Sequence, residues 1–331
     1  MSSSRPLVLV TGANGFLGSH LTELLVSRGY RVRCMVRRTS DLTHIRHLPV
    51  EWVFADVLDG QDLHLACEGV DAVCHCAALT RARDEETFYR VNTEGTERLA
   101  RACLDASPGL QRFLFVSSQA AAGPSRNPEE AKDEEDEPQP ITWYGKSKWA
   151  AEKLLRAMAD RLPLVIVRPS AVFGPRDRDF LAYFAWVQRG LNLQLGKKIR
   201  RISLIYVRDL VRLLGLALES EAALGQTYFG CAYACSYAEF SAAVAHALGK
   251  RTRCIRLPEW VLPLLAFEAR VQGWFTNRPP LLNPQRILDL QQPSWLCSAE
   301  KARQELGFEP EYDLLMAVQE TANWYREKGW L

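Results

Sequence analysis

The sequence predicts an α/β protein, a doubly wound parallel sheet followed by a smaller C-terminal α/β domain. Three observations predict it. Short apolar runs alternate with helix-length segments from residue 7 to about residue 175. The first run passes into glycines spaced G-x-x-G-x-x-G (Gly12, Gly15, Gly18), and a helix-length segment follows at once. Beyond Pro175 the sequence becomes Pro-interrupted and rich in aromatics.

Strands are expected over 7–11, 31–36, 51–55, 72–76, 112–117 and 164–168, and helices over 16–28, 60–67, 92–106 and 144–161. Leu7-Val8-Leu9-Val10 is a continuous apolar run of the kind a sheet buried on both faces requires. The glycines after it let the backbone turn sharply and approach a pyrophosphate, and the next helix aims its N-terminal N–H groups at that anion. The spacing departs from G-x-G-x-x-G, so an ordinary glycine-rich turn is the competing reading. The second strand ends at Val36, and Arg37, Arg38 and Ser40 follow. A ribose 2′-OH is usually held by Asp or Glu about 20 residues past the glycines. A guanidinium fork there suits a 2′-phosphate instead, so NADP(H) is favoured over NAD(H); the alternative is a solvated pair of surface charges.

In the second half, 179–190 is expected to be helical, 201–207 to be a return segment, and Asp209 to cap a helix over 210–219. The expected division is a dinucleotide-binding domain over 1–175, with 203–222 returning to it, and a mainly substrate-binding domain over 176–331.

Tyr144-Gly-Lys-Ser-Lys148 carries the chemistry. Tyr144 and Lys148 are i and i+4, so on a helix they share a face. A phenol with a pKa near about 10 is a poor acid or base at neutral pH, and a neighbouring ammonium pulls that value towards the working range. A lone tyrosine at a helix start reads more plainly as a half-buried aromatic. Ser117 and Ser118 end the fifth strand, and alternation puts them on opposite faces, so one of the two reaches a substrate.

TGANGFLG (11–18), Asp56-Val57, VCHCAAL (73–79), VNTEGT (91–96), FVSSQAAAG (115–123), YGKSK (144–148), RPSAVFGPRD (168–177) and IYVRDL (205–210) together resemble the extended short-chain dehydrogenase/reductases, the NAD-dependent epimerase/dehydratase family. The resemblance runs from about residue 5 to the C-terminus. RPSAVFGP is more similar to the 3β-hydroxysteroid dehydrogenase-like and dihydroflavonol reductase-like branches. Sugar-nucleotide epimerases more often have an Arg…Asn-Val-Tyr-Gly-Pro pattern, and this chain has Ser170 and Phe173 instead.

The resemblance implies a Rossmann fold, with Ser118, Tyr144, Lys148 and Asn92 as the catalytic set. Ser118 would hold the substrate oxygen, Lys148 would also reach the nicotinamide ribose, and Asn92 would steady the lysine through water. The cofactor site it implies comprises Gly12, Asn14, Gly15, Phe16, Leu17 and Gly18, then Arg37, Arg38, Asp56 and Val57. Ala77, Ala78, Tyr144, Lys148, Pro169 and Ser170 complete it. Asp56 would meet the adenine amine, and Ala77 and Ala78 let the dinucleotide approach. Helices 92–106 and 144–161 imply a homodimer, with Leu99, Ala100, Leu154 and Leu155 on its face.

Composition agrees with an enzyme of small molecules. The chain has 331 residues, 47% hydrophobic content and a formal charge of +2, so nothing points to nucleic acid as an obligatory partner. No apolar run reaches the roughly 18 residues of a membrane-spanning helix, and the N-terminus lacks an apolar signal core. Nine cysteines, an odd number with several in apolar strands, indicate reduced thiols and a cytoplasmic location. Cys74-His75-Cys76 alternates across a strand and cannot close a tetrahedral metal site, so no metal is expected and His75 reads as a strand-end residue beside the cofactor.

Two stretches bear on substrate. Residues 128–140 are strongly acidic and lie between serine and tyrosine in the chain, either as a solvated loop or as a lid. Residues 257–275 are rich in large apolar side chains, suiting core or a dimer contact, or else a lipidic pocket or peripheral membrane contact. Three functions therefore stand. The first is an NADP(H)-dependent oxidoreductase on a bulky, apolar sterol-like or flavonoid-like alcohol or ketone. The second is a nucleotide-sugar epimerase or dehydratase with bound NAD, and the third a non-catalytic dinucleotide-binding protein.

Overall fold

The computed structural model describes residues 5–58, 62–127, 129–261 and 284–331. Its centre is β1 (Leu7–Thr11), buried along its whole length. β2 (Arg31–Val36) and β3 (Glu51–Phe54) extend the sheet on one side of β1. On the other side lie β4 (Ala72–His75), β5 (Arg112–Val116), β6 (Leu164–Pro169) and a seventh strand, β10 (Thr227–Gly230). All neighbours are parallel, in the order β10-β6-β5-β4-β1-β2-β3. The direction of winding reverses between β1 and β4, which opens a crevice at the carboxyl ends of those two strands.

Period-two alternation sorts the apolar side chains onto two faces. Val8, Val10, Leu114 and Val165 pack under α1 (Phe16–Ser27) and α8 (Val207–Glu219). Leu7, Leu9, Phe113, Phe115 and Ile166 pack under α2 (Leu63–Cys67), α4 (Gly95–Ala106) and α6 (Trp143–Arg156). Because both faces are covered, these strands read as unbroken apolar runs, which is why their positions were legible.

The structure departs from the expected elements in four places. β10 falls inside the stretch assigned to the substrate half; its four residues are too few to show a period. Helix α8 begins at Val207, so Asp209 lies in its first turn rather than at its cap; its buried carboxylate accepts the Glu311 N–H (2.8 Å) and so pins a distant loop. The helix expected from residue 92 is already running: α3 (Glu85–Phe88) leads through a π-helical turn, Tyr89–Glu94, into α4. Finally, Leu99, Ala100 and Leu155 are fully buried against the sheet and cannot form a dimer face; of the four residues expected there, Leu154 alone keeps some exposure.

A second sheet centres on β9 (Arg201–Tyr206), antiparallel to β11 (Tyr233–Ser236) and parallel to β7 (Ala171–Phe173) and β13 (Ser294–Trp295). Phe173 on β7, Phe184 on α7 (Leu181–Gln188) and Phe240 on α9 (Tyr237–Leu248) pack edge-on beside it. The C-terminal helix Leu314–Glu327 closes this cluster through Tyr325. β8 (Leu191–Leu195) and β12 (Arg253–Leu257) form a separate parallel pair. No helix among the described residues is long and apolar enough to cross a membrane. Most of the apolar stretch 257–275 lies outside the described residues.

Candidate active site

The glycine turn is built so tightly that side chains are excluded. Gly12 has φ +64°, and a Cβ on it would stand 2.9 Å from the Cα of Ala77. A Cβ on Gly18 would stand 2.2 Å from the Gly12 carbonyl oxygen, and the Gly15 N–H donates to that same oxygen (2.9 Å). Helix α1 starts immediately after Gly15, with no side-chain cap on its free N–H groups. An oxygen-rich anion suits such a helix start. Asn14, Phe16 and Leu17 are partly exposed around the turn, and Ala77 and Ala78 face it at the end of β4.

Arg37 and Arg38 are exposed just beyond β2. The Arg37 N–H donates to Ser40 Oγ (3.1 Å), which fixes the turn, while the Arg38 guanidinium lies 5.7 Å from the Phe54 ring centre. Neither pairs with a carboxylate among the described residues. Asp56 closes its own turn by accepting the Leu58 N–H (3.0 Å), and Val57 fills the space that Gly95 leaves on α4. Pro169 ends β6, and the buried Oγ of Ser170 beside it has no hydrogen-bond partner. Tight glycines, free guanidiniums and an orphaned hydroxyl fit a dinucleotide along this edge.

Tyr144 and Ser118 are brought together. Thr142 caps α6 by accepting the Gly145 N–H (3.1 Å), which sets Tyr144 in the first turn. Ser118 follows β5 and caps the short helix α5 (Gln119–Ala122) by accepting the Ala120 N–H (3.1 Å), and its hydroxyl lies near enough to the Tyr144 phenol to favour the phenolate. Ser117 points the other way, donating to the buried Glu152 (2.5 Å), so Ser118 is the serine that meets the tyrosine.

Lys148 follows one turn along α6 and is buried. Its Nζ donates to the Val116 carbonyl (2.7 Å) and lies 4.0 Å from the Phe115 ring centre. Burial, partly offset by the charge of Glu152, lowers its pKa to about 7. Burial pushes the Tyr144 phenol up to about 12, against the pull of Ser118, with Asp289 and Asp179 adding in the same direction. The expected lowering of the phenol by Lys148 is therefore absent; the ammonium is engaged by the Val116 carbonyl instead. Asn92, in the π-helical turn, accepts the Leu79 N–H (2.8 Å) and donates to the Leu79 carbonyl (2.9 Å) and Ser147 Oγ (3.1 Å). It thus ties the loop after β4 to the residue beside Lys148.

His75 does not face the cleft. It is buried between Thr11 (2.7 Å) and Thr96 (2.8 Å), and burial with the Lys148 charge lowers its pKa to about 3. The acidic loop is stitched down rather than free. Lys132 is buried and donates to the Ala122 carbonyl (2.7 Å), and Glu134 accepts the Phe229 N–H (2.6 Å). Among the described residues, no cluster of three or more His, Cys, Asp or Glu could hold a metal ion.

Sequence reasoning missed several residues around the site. Arg168 makes a bidentate pair with Glu152 (3.0 and 2.7 Å) under the Ser117–Lys148 layer. Arg81 pairs with Asp179 between the loop after β4 and the approach to α7. On the helix Pro284–Gln291, Gln285 accepts the Trp143 N–H (2.7 Å), and Asp289, whose pKa burial raises to about 6, stands near Tyr144. The positions of Asp289 and Gln285 depend on contacts across more than 140 residues, for which the local sequence carries no signal.

Residues 8–229 match the family model described as the NAD dependent epimerase/dehydratase family. A ceramide reductase of Caulobacter vibrioides is 32% identical over 100% of this chain and 98% of that protein. A putative dihydroflavonol 4-reductase of Synechocystis is 30% identical, covering 97% and 95%. A 3β-hydroxysteroid dehydrogenase/Δ5→4-isomerase of Mycobacterium tuberculosis is also 30% identical, covering 96% and 90%. Among solved structures, gox2253 superposes with a TM-score of 0.83 at 29% identity, covering 99% of this chain and 100% of that one. UDP-glucose 4-epimerase of Thermotoga maritima, at a TM-score of 0.79, 20% identity and coverage of 97% and 99%, shares the fold.

Proposed function

Because the chain belongs to the NAD-dependent epimerase/dehydratase family and is an NAD(P)-dependent enzyme, we propose that it interconverts a secondary alcohol and a ketone on a bulky, apolar substrate, with NADP(H) as cofactor. The observation that carries this reading is the approach of Ser118 to Tyr144 beyond the carboxyl end of β5, with Lys148 one helical turn along α6. In reduction, the Tyr144 hydroxyl donates its proton to the carbonyl oxygen while Ser118 holds that oxygen by hydrogen bond. A phenol held near 12 stays protonated at neutral pH, so the proton to be donated is in place, but it is a weak acid and the phenolate that donation leaves must be stabilised. Lys148 in its charged form offsets the negative charge left on the phenolate. The bound nicotinamide supplies the hydride. The two arginines after β2 support the choice of NADP(H), and relatives named as reductases of ceramide and dihydroflavonol support an apolar carbonyl compound.

A second reading, a nucleotide-sugar epimerase or dehydratase, has the family description and the epimerase-like fold in its favour. One experiment separates the two. NADPH consumption is followed over a panel of bulky ketones, and cofactor released from denatured protein is identified by mass. Net consumption of NADPH with at least one apolar ketone is expected. Tightly retained NAD, no net consumption and turnover of a nucleotide-sugar would overturn the proposal.

A further inference from the structure

Charge on this chain is unevenly placed. Residues 189–201 contain five Lys or Arg and residues 249–258 contain four, with no carboxylate in either segment. Since the formal charge of the whole is only +2, the remainder is net acidic. The fold brings both basic segments together, because β8 and β12 pair in parallel. Their following turns therefore lie at the same end. The Gly196 N–H donates to the Leu257 carbonyl (2.8 Å), and Arg200 donates to the Leu195 carbonyl (2.5 Å) and to Glu259 (2.7 Å). These bonds hold two large apolar side chains at one tip, Ile199 at 76% and Trp260 at 69% exposure, with Lys197 and Lys198 beside them. Behind the tip, Arg253, Ile255 and Arg256 of β12 are exposed as well.

We propose that this tip, with the adjoining surface of β12, docks the protein on anionic phospholipid bilayers. An exposed indole and an aliphatic chain are unfavourable in water but suit the boundary between headgroups and acyl chains. The surrounding lysines and arginines meet the negative surface potential of such a bilayer. A nucleic acid would satisfy the cations but leave Ile199 in water. The inference goes beyond the carbonyl chemistry and does not depend on it, although a surface-bound enzyme would meet apolar substrates where they partition.

The test is co-sedimentation of the full chain with phosphatidylcholine vesicles, with and without phosphatidylglycerol, alongside Lys197→Ala/Lys198→Ala and Trp260→Ala. Binding is expected only to the anionic vesicles and is expected to weaken as salt rises. The double lysine variant should lower the partition coefficient about 25-fold, at about fivefold per cation. Trp260→Ala should lower it about tenfold through lost apolar insertion. Both variants alter exposed side chains, so their cofactor affinity should equal that of the wild type and report an intact fold. Equal binding to neutral and anionic vesicles would overturn the proposal. So would wild-type partitioning by both variants, or capture of single-stranded DNA without capture of vesicles.

Discussion

Arg37 and Arg38 stand where a carboxylate would repel a 2′-phosphate, and among the described residues neither guanidinium is engaged by an acid. Arg37→Asp should therefore weaken NADP(H) binding by about 1–3 kcal/mol while NAD(H) changes little. Fluorescence titration of both cofactors decides this, and equal NAD and NADP affinities in the wild type would contradict it. Lys148 offers a test independent of any substrate. Its pKa is about 7 in the fold and about 10.4 in an unfolded chain. Between those values the unfolded chain holds the proton and the fold does not, so stability rises with pH across that window. Urea midpoints at about pH 7 and about pH 10 should accordingly diverge more for the wild type than for Lys148→Met; identical slopes would count against a desolvated lysine. At this scale the sequence disclosed residue types and spacing but not environments. Tyr144 and Lys148 were found by their i, i+4 separation, whereas the burial that moves both pKa values depends on how Phe88, Phe115 and the helix Pro284–Gln291 enclose them.

The central strands of the dinucleotide-binding sheet announced themselves because β1, β4, β5 and β6 are buried, largely apolar runs and the glycine turn after β1 joins it to a helix. What stayed hidden was set by tertiary contact. β10 is too short to show a period, and the π-helical turn around Asn92 follows from that residue's bonds to Leu79 and Ser147 rather than from propensity. The join of α5 to α6 gives a prediction at this scale. Gly145 directly follows Tyr144, and a Cβ there would lie 2.2 Å from the Ala120 carbonyl oxygen. Gly145→Ala must push α5 away from α6 and separate Ser118 from Tyr144. The variant should lose about 1–3 kcal/mol of stability and turn over more slowly. Thermal unfolding and steady-state kinetics check this; wild-type values in both would show that the close approach is unimportant.

On the scale of the molecule, a homodimer remains our proposal, but through the outer faces of α4 and α6 rather than through Leu99, Ala100 and Leu155, which the sheet already buries. Light scattering at micromolar concentration should return twice the chain mass of 37.4 kDa, and a monomer would contradict the assembly. The overall architecture was legible because one sheet organises most of the chain, while the way the substrate half closes over Tyr144 through Gln285 and Asp289 was not. The central claim is that Tyr144, enclosed in this way, is the proton donor to a carbonyl oxygen. Steady-state kinetics of Tyr144→Phe, with NADPH and whichever ketone the wild type reduces, test it most directly, read beside a cofactor titration of the same variant. The account predicts a kcat lower by about 10²–10⁴ with NADPH affinity unchanged; turnover of Tyr144→Phe at the wild-type rate would contradict it.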